Sequence, residues 1–266
     1  MDDRIRVVVT GVLGKMGMET VKAVVNDKEL ELVGTVDVRG KNEPVATIAG
    51  REINGIYIQN DLDLVIEQAR PDVMVDFTNP QAVFNNAKAA LKNRITSIIG
   101  TTGLNEVELK QLEKMAWENE VGIAIIPNFA IGAVLMMKFA REAAQYFPDV
   151  EIIEMHHDQK MDAPSGTAIK TAEMINENRG LKLPRNVREY EKIAGCRGGD
   201  VDRIRIHSVR LPGFVAHQEV IFGGVGQSLT IRHDSFDRIG FMPGVTMVIK
   251  KMIGKKGLIY GMENLM

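Results

Sequence analysis

The feature that most constrains the fold is a glycine-rich turn near the N-terminus. Gly11, Gly14 and Gly17 follow an apolar run over residues 5–9 and open a helical pattern over residues 15–26. A strand, a glycine turn and a helix in this order are typical of the first unit of a dinucleotide-binding sheet. The glycines let backbone N–H groups approach a diphosphate, and the start of the helix favours its negative charge. Because the spacing differs from the usual Gly-x-Gly-x-x-Gly, a turn that serves only strand–helix packing remains the alternative.

Short apolar runs alternate with helical patterns through the first half of the chain. This alternation predicts a parallel sheet covered by helices on both faces, the Rossmann-type doubly wound α/β class. The predicted strands cover residues 5–9, 29–36, 72–77, 95–99 and 121–126, and the predicted helices cover residues 15–26, 62–69, 80–93 and 105–119.

The pattern changes near Pro127, where strands without intervening helices predict a smaller α+β domain. A helical tail from about residue 245 is expected to pack back on the first domain. We therefore predict a first domain of residues 1–127 and 240–266 and a second domain of residues 128–239. The second contains predicted helices over residues 131–147 and 167–178, predicted strands over 150–155, 203–209, 214–222 and 228–233, and a predicted loop over 180–199.

Composition and charge exclude several classes of protein. The 266 residues carry a formal net charge of −2, so no basic field indicates a nucleic-acid partner. No apolar stretch approaches the roughly 20 residues of a membrane span, and the first residues lack the plan of a signal peptide. The single cysteine, Cys196, rules out an internal disulfide framework. We expect a cytoplasmic protein with neither a membrane nor a nucleic acid as its partner.

An acidic residue stands where a dinucleotide-binding sheet needs one. Asp37 closes the second predicted strand, 20 residues after Gly17. A carboxylate at this point accepts hydrogen bonds from the adenosine ribose of NADH. Lys15 and Arg39 are close in sequence, and such cations suit the additional phosphate of NADPH. These residues leave the choice between NADH and NADPH open.

Three later loops are also candidates for the cofactor, because each follows a predicted strand. Ligands of open α/β sheets bind at the carboxyl ends of the strands. Each loop taken alone is more often an ordinary turn. The loops cover residues 77–79, 100–103 and 127–129.

A second cluster gathers proton donors beside a predicted anion site. His156 and His157 end a predicted strand, so their side chains are expected on opposite faces, and Lys160 follows three or four residues later, where a turn can bring it beside either of them. Ser165 is a natural N-cap for the next helix. The first amides of that helix, with the Ser165 and Thr167 hydroxyls, would form a cradle for a carboxylate. The two clusters together indicate a nicotinamide-dependent reductase of a carboxylated substrate.

Other interpretations of these residues remain open. Five histidines make a zinc site one alternative. The sequence has neither Cys-x-x-Cys nor His-Glu-x-x-His spacing, however, so no metal is predicted. A dehydrogenase of the aspartate-semialdehyde type would need Cys196 as its nucleophile. A nucleotide-sensing protein without turnover would have little use for the cluster around Lys160. A purely structural module would need neither cluster.

Several segments carry a resemblance to a known family. They cover residues 9–17, 76–78, 100–103, 127–132, 207–210, 217–219 and 222–223, and above all the block of residues 154–168. The family that they resemble, over the whole chain, is 4-hydroxy-tetrahydrodipicolinate reductase, also called dihydrodipicolinate reductase. The resemblance implies a Rossmann-type domain followed by a substrate-binding and oligomerisation domain. It also implies NAD(P)H-dependent reduction of a cyclic dicarboxylate, 4-hydroxy-tetrahydrodipicolinate, to tetrahydrodipicolinate in diaminopimelate and lysine biosynthesis.

The resemblance further implies a role for individual residues. His156 would be the catalytic proton donor or acceptor and Lys160 a second proton donor, and which of them delivers the proton stays open. Many members carry Glu where Asp37 stands, and the shorter acid leaves room for basic neighbours. Members are commonly homotetramers assembled through the sheet of the second domain. The implied substrate-binding residues are His157, Lys160, Ser165, Gly166 and Thr167, and the implied cofactor-binding residues are Gly11, Val12, Leu13, Gly14, Lys15, Met16, Asp37, Arg39, Gly100, Thr101, Thr102, Ile126, Pro127, Asn128 and Phe129.

Overall fold

The computed structural model describes residues 3–50, 53, 55–180 and 190–266. The chain divides into two compact units, one formed by Met1–Phe129 with Phe241–Met266 and the other by Ala130–Gly240. Of the loop predicted over residues 180–199, residues 181–189 lie outside the described part.

The first unit is built on one twisted sheet. Its strands are β1 (Ile5–Thr10), β2 (Leu30–Val36), β3 (Glu43–Pro44), β4 (Tyr57–Gln59), β5 (Val73–Asp76), β6 (Thr96–Ile99), β7 (Gly122–Ile125) and β13 (Gly257–Tyr260). Their order is β13-β7-β6-β5-β1-β2-β4-β3; β3 pairs antiparallel with β4, and the other neighbours pair in parallel. The chain winds outward from the centre in both directions, so the topological switch point lies between β1 and β5.

Helices cover the sheet because its central strands are apolar on both faces. The residues of β5, β6 and β7 are buried throughout, as parallel strands between two helix layers must be. The helices are α1 (Lys15–Asn26), α2 (Ala46–Ala49), α3 (Leu62–Ala69), α4 (Val83–Lys92), α5 (Glu106–Glu118) and α8 (Met242–Met252). Helices α1 and α8 pack on each other, whereas α4 packs between α3 and α5.

The second unit is a mixed sheet with two helices. Its strands are β8 (Asp149–His156), β9 (Gly199–Val201), β10 (Ile204–Arg210), β11 (Ala216–Gly224) and β12 (Gln227–Ser235), and its helices are α6 (Ile131–Ala143) and α7 (Gly166–Asn178). The strand order is β12-β11-β8-β10-β9, with β8 and β10 parallel and the other pairs antiparallel. The two helices pack on each other; α7 also packs on β8 and β9, and α6 on β12.

Side chains alternate along β8, and this alternation places the most important carboxylate of the unit. Val150, Ile152 and Glu154 are buried, whereas the residues between them are partly exposed. The parallel register sets Glu154 beside Ser208 and His156 beside Arg210. One face of the sheet therefore gathers an acid, an imidazole and a guanidinium at the end of β8.

The predicted fold class, a Rossmann-type doubly wound sheet with a smaller α+β unit, is confirmed. Several element bounds were wrong. The helix predicted from residue 80 begins at Val83, because the Asn79 side chain accepts hydrogen bonds from the N–H groups of Gln81 and Ala82 and first forms a turn. The helix predicted to reach residue 147 ends at Ala143. Four short strands, β3, β4, β9 and β13, were not predicted, because two to four residues show no reliable periodicity.

Candidate active site

The glycine turn closes tightly on its neighbours. Gly11 has a φ of +77°, and a Cβ on it would lie 2.3 Å from the carbonyl oxygen of Phe77. A Cβ on Gly17 would lie 2.1 Å from the carbonyl oxygen of Gly11. Glycine is therefore required at both positions, and the start of α1 follows with no side-chain cap on its first amides. This is the close backbone approach that a diphosphate site needs.

Asp37 ties the end of β2 to this turn. Its side chain is 5% exposed, and its Oδ2 accepts a hydrogen bond from the Leu13 N–H at 3.0 Å. The Arg39 guanidinium binds both carboxylate oxygens, at 3.0 and 3.3 Å. Burial raises the pKa of Asp37, but hydrogen bonds from the Arg39 side chain and backbone and from Leu13 outweigh it, so the pKa lies below its ordinary value. Asp37, which was predicted to bind the ribose, and Arg39, which was predicted to bind the 2′-phosphate, thus form one ion pair.

A groove with a volume of about 570 Å³ joins these residues within the first unit. Its walls include the glycine turn, the Asp37–Arg39 pair and the loop after β5. The lining residues are Thr10, Gly11, Gly14, Val36, Asp37, Val38, Arg39, Asn60, Asp61, Leu62, Phe77, Thr78, Asn79, Ala82 and Asn86.

The other predicted cofactor residues lie around the same turn and on the loops after β6 and β7. Val12 is buried, Leu13 and Met16 are partly buried, and Lys15 is exposed at the first position of α1. Gly100 and Thr101 are partly buried, Thr102 and Pro127 are exposed, and Asn128 is partly buried. The Ile126 N–H donates to the Ile99 carbonyl, and the buried Phe129 ring lies 5.5 Å from the Phe77 ring.

A residue that the sequence did not mark as functional organises this edge of the sheet. Asp76, at the end of β5, is fully buried. Its Oδ1 accepts from the Thr78 N–H and from the hydroxyls of Thr78 and Thr101, and its Oδ2 accepts from the Thr10 hydroxyl and the Asn86 amide. All five groups donate at 2.7–3.0 Å to one carboxylate. The signal in the sequence was an acid closing an otherwise apolar strand.

The second cluster is centred on another buried carboxylate, Glu154. His156 Nδ1 lies 2.5 Å from Glu154 Oε2. Arg210 Nη1 and Nη2 donate to the two carboxylate oxygens at 2.9 and 2.8 Å. The Ser165 N–H donates to Oε1 at 3.3 Å. Of the predicted residues, the structure therefore brings His156 and Ser165 together, and it does so through two residues, Glu154 and Arg210, to which the sequence alone assigned no role.

The environment of Glu154 determines its charge. Burial raises the pKa of this carboxyl, but hydrogen bonds from His156, Arg210 and Ser208 outweigh burial and lower the pKa to about 2. Glu154 is therefore a carboxylate at neutral pH. It balances the positive charge of the Arg210 guanidinium and accepts a hydrogen bond from a protonated ring nitrogen of His156.

The loop after β8 carries Lys160. The predicted turn is present, since the Lys160 N–H donates to the His157 carbonyl at 3.2 Å. Lys160 Nζ binds both carboxylate oxygens of Asp162, at 2.7 and 2.8 Å. The Asp162 carbonyl accepts from Arg210 Nη2 at 2.8 Å, so the loop is fastened to the Glu154 cluster.

The start of α7 has the expected cap. Ser165 is buried, and its hydroxyl accepts from the Ala168 N–H at 3.2 Å. Gly166 is exposed, and apart from its chain neighbours and the backbone of its own helix no atom lies within 4 Å of the place where its Cβ would be. Thr167 is partly buried. The open space beside the first residue of a helix is what an anion site requires.

Two of the remaining histidines pair with carboxylates. His207 Nε2 lies 2.8 Å from Glu151, and His217 Nδ1 lies 2.6 Å from Asp234. Burial lowers the pKa of His233. Cys196 is exposed. Within residues 3–50, 53, 55–180 and 190–266, no group of three or more His, Cys, Asp or Glu side chains is placed to hold a metal ion.

The α-helices of the same described ranges are 4 to 13 residues long. None of them has the length and apolar character needed to cross a bilayer.

Comparison with known proteins assigns the chain to a family. The family described as "Dihydrodipicolinate reductase, N-terminus" matches residues 5–129, and "Dihydrodipicolinate reductase, C-terminus" matches residues 132–266. The chain belongs to the dihydrodipicolinate reductase family. The predicted family is thereby confirmed.

Relatives match along the whole length. A 4-hydroxy-tetrahydrodipicolinate reductase from Syntrophomonas wolfei subsp. wolfei is 70% identical over 266 residues and 100% of both chains. One from Desulfitobacterium hafniense is 51% identical over 262 residues and 98% of both chains. These relatives show that family membership extends over both units.

Solved structures agree with this assignment. A structure of dipicolinate-bound dihydrodipicolinate reductase from Paenisporosarcina sp. TG-14 has a TM-score of 0.88 at 47% identity, over 99% of this chain and 100% of its own. A probable dehydrogenase from Thermotoga maritima has a TM-score of 0.65 at 13% identity, over 98% of this chain and 92% of its own. The second likeness is one of fold alone.

Asp76→Asn should lower the free energy of unfolding by about 1–3 kcal/mol, because an amide nitrogen would then face groups that donate hydrogen bonds. Urea denaturation measures the loss. Asp72→Asn is the matched control: Asp72 is exposed just before the same strand and accepts one bond, from the Arg6 N–H, which an amide oxygen can also accept. Equal losses in the two variants would contradict the role given to Asp76.

The stability of the protein should depend on Glu154 in acid. Its pKa in the folded state lies below the ordinary 4.5, so the carboxylate stabilises the fold above about pH 4.5, and this stabilisation is lost as the pH falls towards 2. The full contribution is about 3 kcal/mol. Urea unfolding should be measured from about pH 5 to pH 3. The difference in free energy of unfolding between the wild type and Glu154→Gln should become smaller as the pH falls. A difference that stays constant would disprove the linkage.

Proposed function

We propose that this chain catalyses the NADH- or NADPH-dependent reduction of 4-hydroxy-tetrahydrodipicolinate to tetrahydrodipicolinate in diaminopimelate and lysine biosynthesis. The observation that carries the proposal is the 70% identity to a relative named for this reaction over the full length of both chains. The Paenisporosarcina relative has dipicolinate, a cyclic dicarboxylate, bound to it. The anion-binding helix start and the proton-transfer groups of the second unit suit a substrate of that class.

The first unit is proposed to hold the dinucleotide. The fit rests on the glycine turn, where a Cβ on Gly11 or Gly17 would occupy space that the backbone needs, and on the buried Asp37 at the end of β2. When bound, the reduced cofactor supplies a hydride. The first amides of α1 would bind its diphosphate, and Asp37 or Arg39 would bind its adenosine ribose or 2′-phosphate. The loops of residues 100–102 and 126–129 are proposed to line the nicotinamide side.

The second unit is proposed to bind the substrate and to handle protons. The start of α7, with Gly166 and Thr167, would bind a carboxylate through backbone N–H groups. The Lys160 ammonium adds a positive charge that can leave the exposed Asp162 for a substrate carboxylate. His157 is proposed as a further substrate contact. His156, held by Glu154, and Lys160 are the groups that can exchange a proton with the ring.

We also propose that the enzyme acts in the cytoplasm as a homotetramer. The exposed thiol of Cys196 suits a reducing compartment. Strand β12 is nine residues long, lies at the edge of the second sheet and is exposed over its first four residues. Long unprotected edge strands favour association with another chain. The sheet of the second unit is therefore the proposed surface of assembly.

Lys160→Ala tests the proposed reaction. Turnover of 4-hydroxy-tetrahydrodipicolinate, followed by NADH absorbance, should fall by about 10²–10⁴-fold, the usual contribution of a general acid. The dissociation constant of NADH should stay unchanged, because the proposed dinucleotide contacts belong to the other unit. The control is Lys170→Ala, an exposed lysine of α7 that pairs with Glu173. A wild type that binds NADH tightly without oxidising it would favour a nucleotide-sensing protein instead.

Asp37→Ala should raise the ratio of kcat/KM with NADPH to that with NADH by about tenfold, or about 1.4 kcal/mol. The variant loses an acceptor for the ribose hydroxyls, and it frees the Arg39 guanidinium for a phosphate. Initial rates with the two cofactors give the ratio. Asp63→Ala, an acidic residue in the first turn of α3, is the control. An unchanged ratio would show that Asp37 does not set the preference.

A further inference from the structure

The second sheet contains two carboxylate–histidine pairs on opposite faces, and they differ in the ring nitrogen that is bound and in the burial of the carboxylate. Glu154 binds His156 through Nδ1, on the face that packs against α7. Glu151 binds His207 through Nε2, on the other face. The Glu154 side chain is 0% exposed, whereas that of Glu151 is 34% exposed. The two pairs therefore allow a matched comparison within one protein.

The donor and the acceptor of each hydrogen bond around Glu154 are determined by its partners. Oε1 accepts from Arg210 Nη2 and the Ser165 N–H, and Oε2 accepts from Arg210 Nη1. A carboxylate only accepts, the Ser208 hydroxyl is a further donor to it, and its remaining contact is His156 Nδ1. That nitrogen must therefore carry a proton. In the neutral ring the other nitrogen, Nε2, is then bare.

Arg210 extends this control to the neighbouring loop. Besides its two bonds to Glu154, its Nη2 donates to the Asp162 carbonyl at 2.8 Å. The Asp162 carboxylate in turn binds Lys160 Nζ. One buried carboxylate thus fixes the ring of His156 directly and the loop of Lys160 through a single guanidinium.

We propose that Glu154 is the positioning residue of the active site: it sets the tautomer of His156 and, through Arg210, holds the loop that carries Lys160. The effect of Glu154 on turnover rests on the proposed function. The tautomer of His156 and the position of the Lys160 loop do not depend on it. It also divides the proton roles that the sequence left open, because a neutral His156 presents a lone pair at Nε2 and can only accept there. Lys160 is then the group that delivers a proton whenever the imidazole is neutral.

The tautomers can be measured directly in the protein without ligands. Nitrogen-15 NMR of the histidine rings distinguishes the protonated nitrogen from the bare one. In the neutral form we expect the proton on Nδ1 in His156 and on Nε2 in His207. A proton on Nε2 of neutral His156 would overturn the proposal, and this result needs no variant to fold.

Glu154→Gln tests the consequence for catalysis. Arg210 Nη2 and the Ser165 N–H both donate at the Oε1 position, so the amide oxygen should take that position and the amide NH₂ should face His156, which moves the ring proton to Nε2. Turnover should fall by about 10²–10⁴-fold, as for other histidines held in the wrong tautomer. The dissociation constant of NADH should change by less than about twofold, since its proposed contacts lie elsewhere. A change of turnover below about threefold in a folded variant would overturn the proposal.

Glu151→Gln is the matched control. It should change the ring resonances of His207 only and leave turnover within about twofold of the wild type. Equal losses of turnover in the two variants would overturn the specific role of Glu154. The two proposals fail separately. Expected tautomers without any reductase activity would contradict the proposed function, whereas an active wild type with an equally active Glu154→Gln would contradict only the positioning role.

Discussion

The carboxylate of Asp76 lies at the carboxyl ends of the central strands, and the geometry of the first unit depends on how it is satisfied. A buried charge without partners is costly, so every lone pair must meet a donor. Here the donors come from β1, the loop after β5, helix α4 and the loop after β6. These donors are hydroxyl, amide and backbone N–H groups. The carboxylate thereby holds together the segments that surround the groove.

Glu154 follows the same rule in the second unit with different partners. It accepts from a guanidinium, an imidazole and a backbone N–H at the start of α7. Charged partners strengthen each bond and keep the pKa of the carboxyl at about 2. The consequence is chemical as well as structural. The side chains that are proposed to move protons are held by a group that stays ionised at neutral pH.

The two units use backbone and side chain differently for anions. In the first, glycines bring amides close to where a diphosphate would lie, and Asp37 holds the Leu13 amide in place. In the second, the Ser165 cap orders the first turn of α7 and leaves open space at Gly166. Asp37 and Arg39 neutralise each other in the structure. This pairing explains why both an acid and a cation can stand at one end of a strand, and why cofactor preference does not follow from either residue alone.

The sequence by itself determined the fold class, the long helices and strands, the glycine turn and the Ser165 cap, because periodicity and capping are local properties of the chain. It also identified the family, because the block of residues 154–168 is specific. It did not identify Asp76, Glu154 or Arg210 as organising residues. Those roles depend on the pairing of β8 with β10 and of β1 with β5. Arg210 is 56 residues from Glu154 in the chain, and only the sheet register brings the two charges into contact.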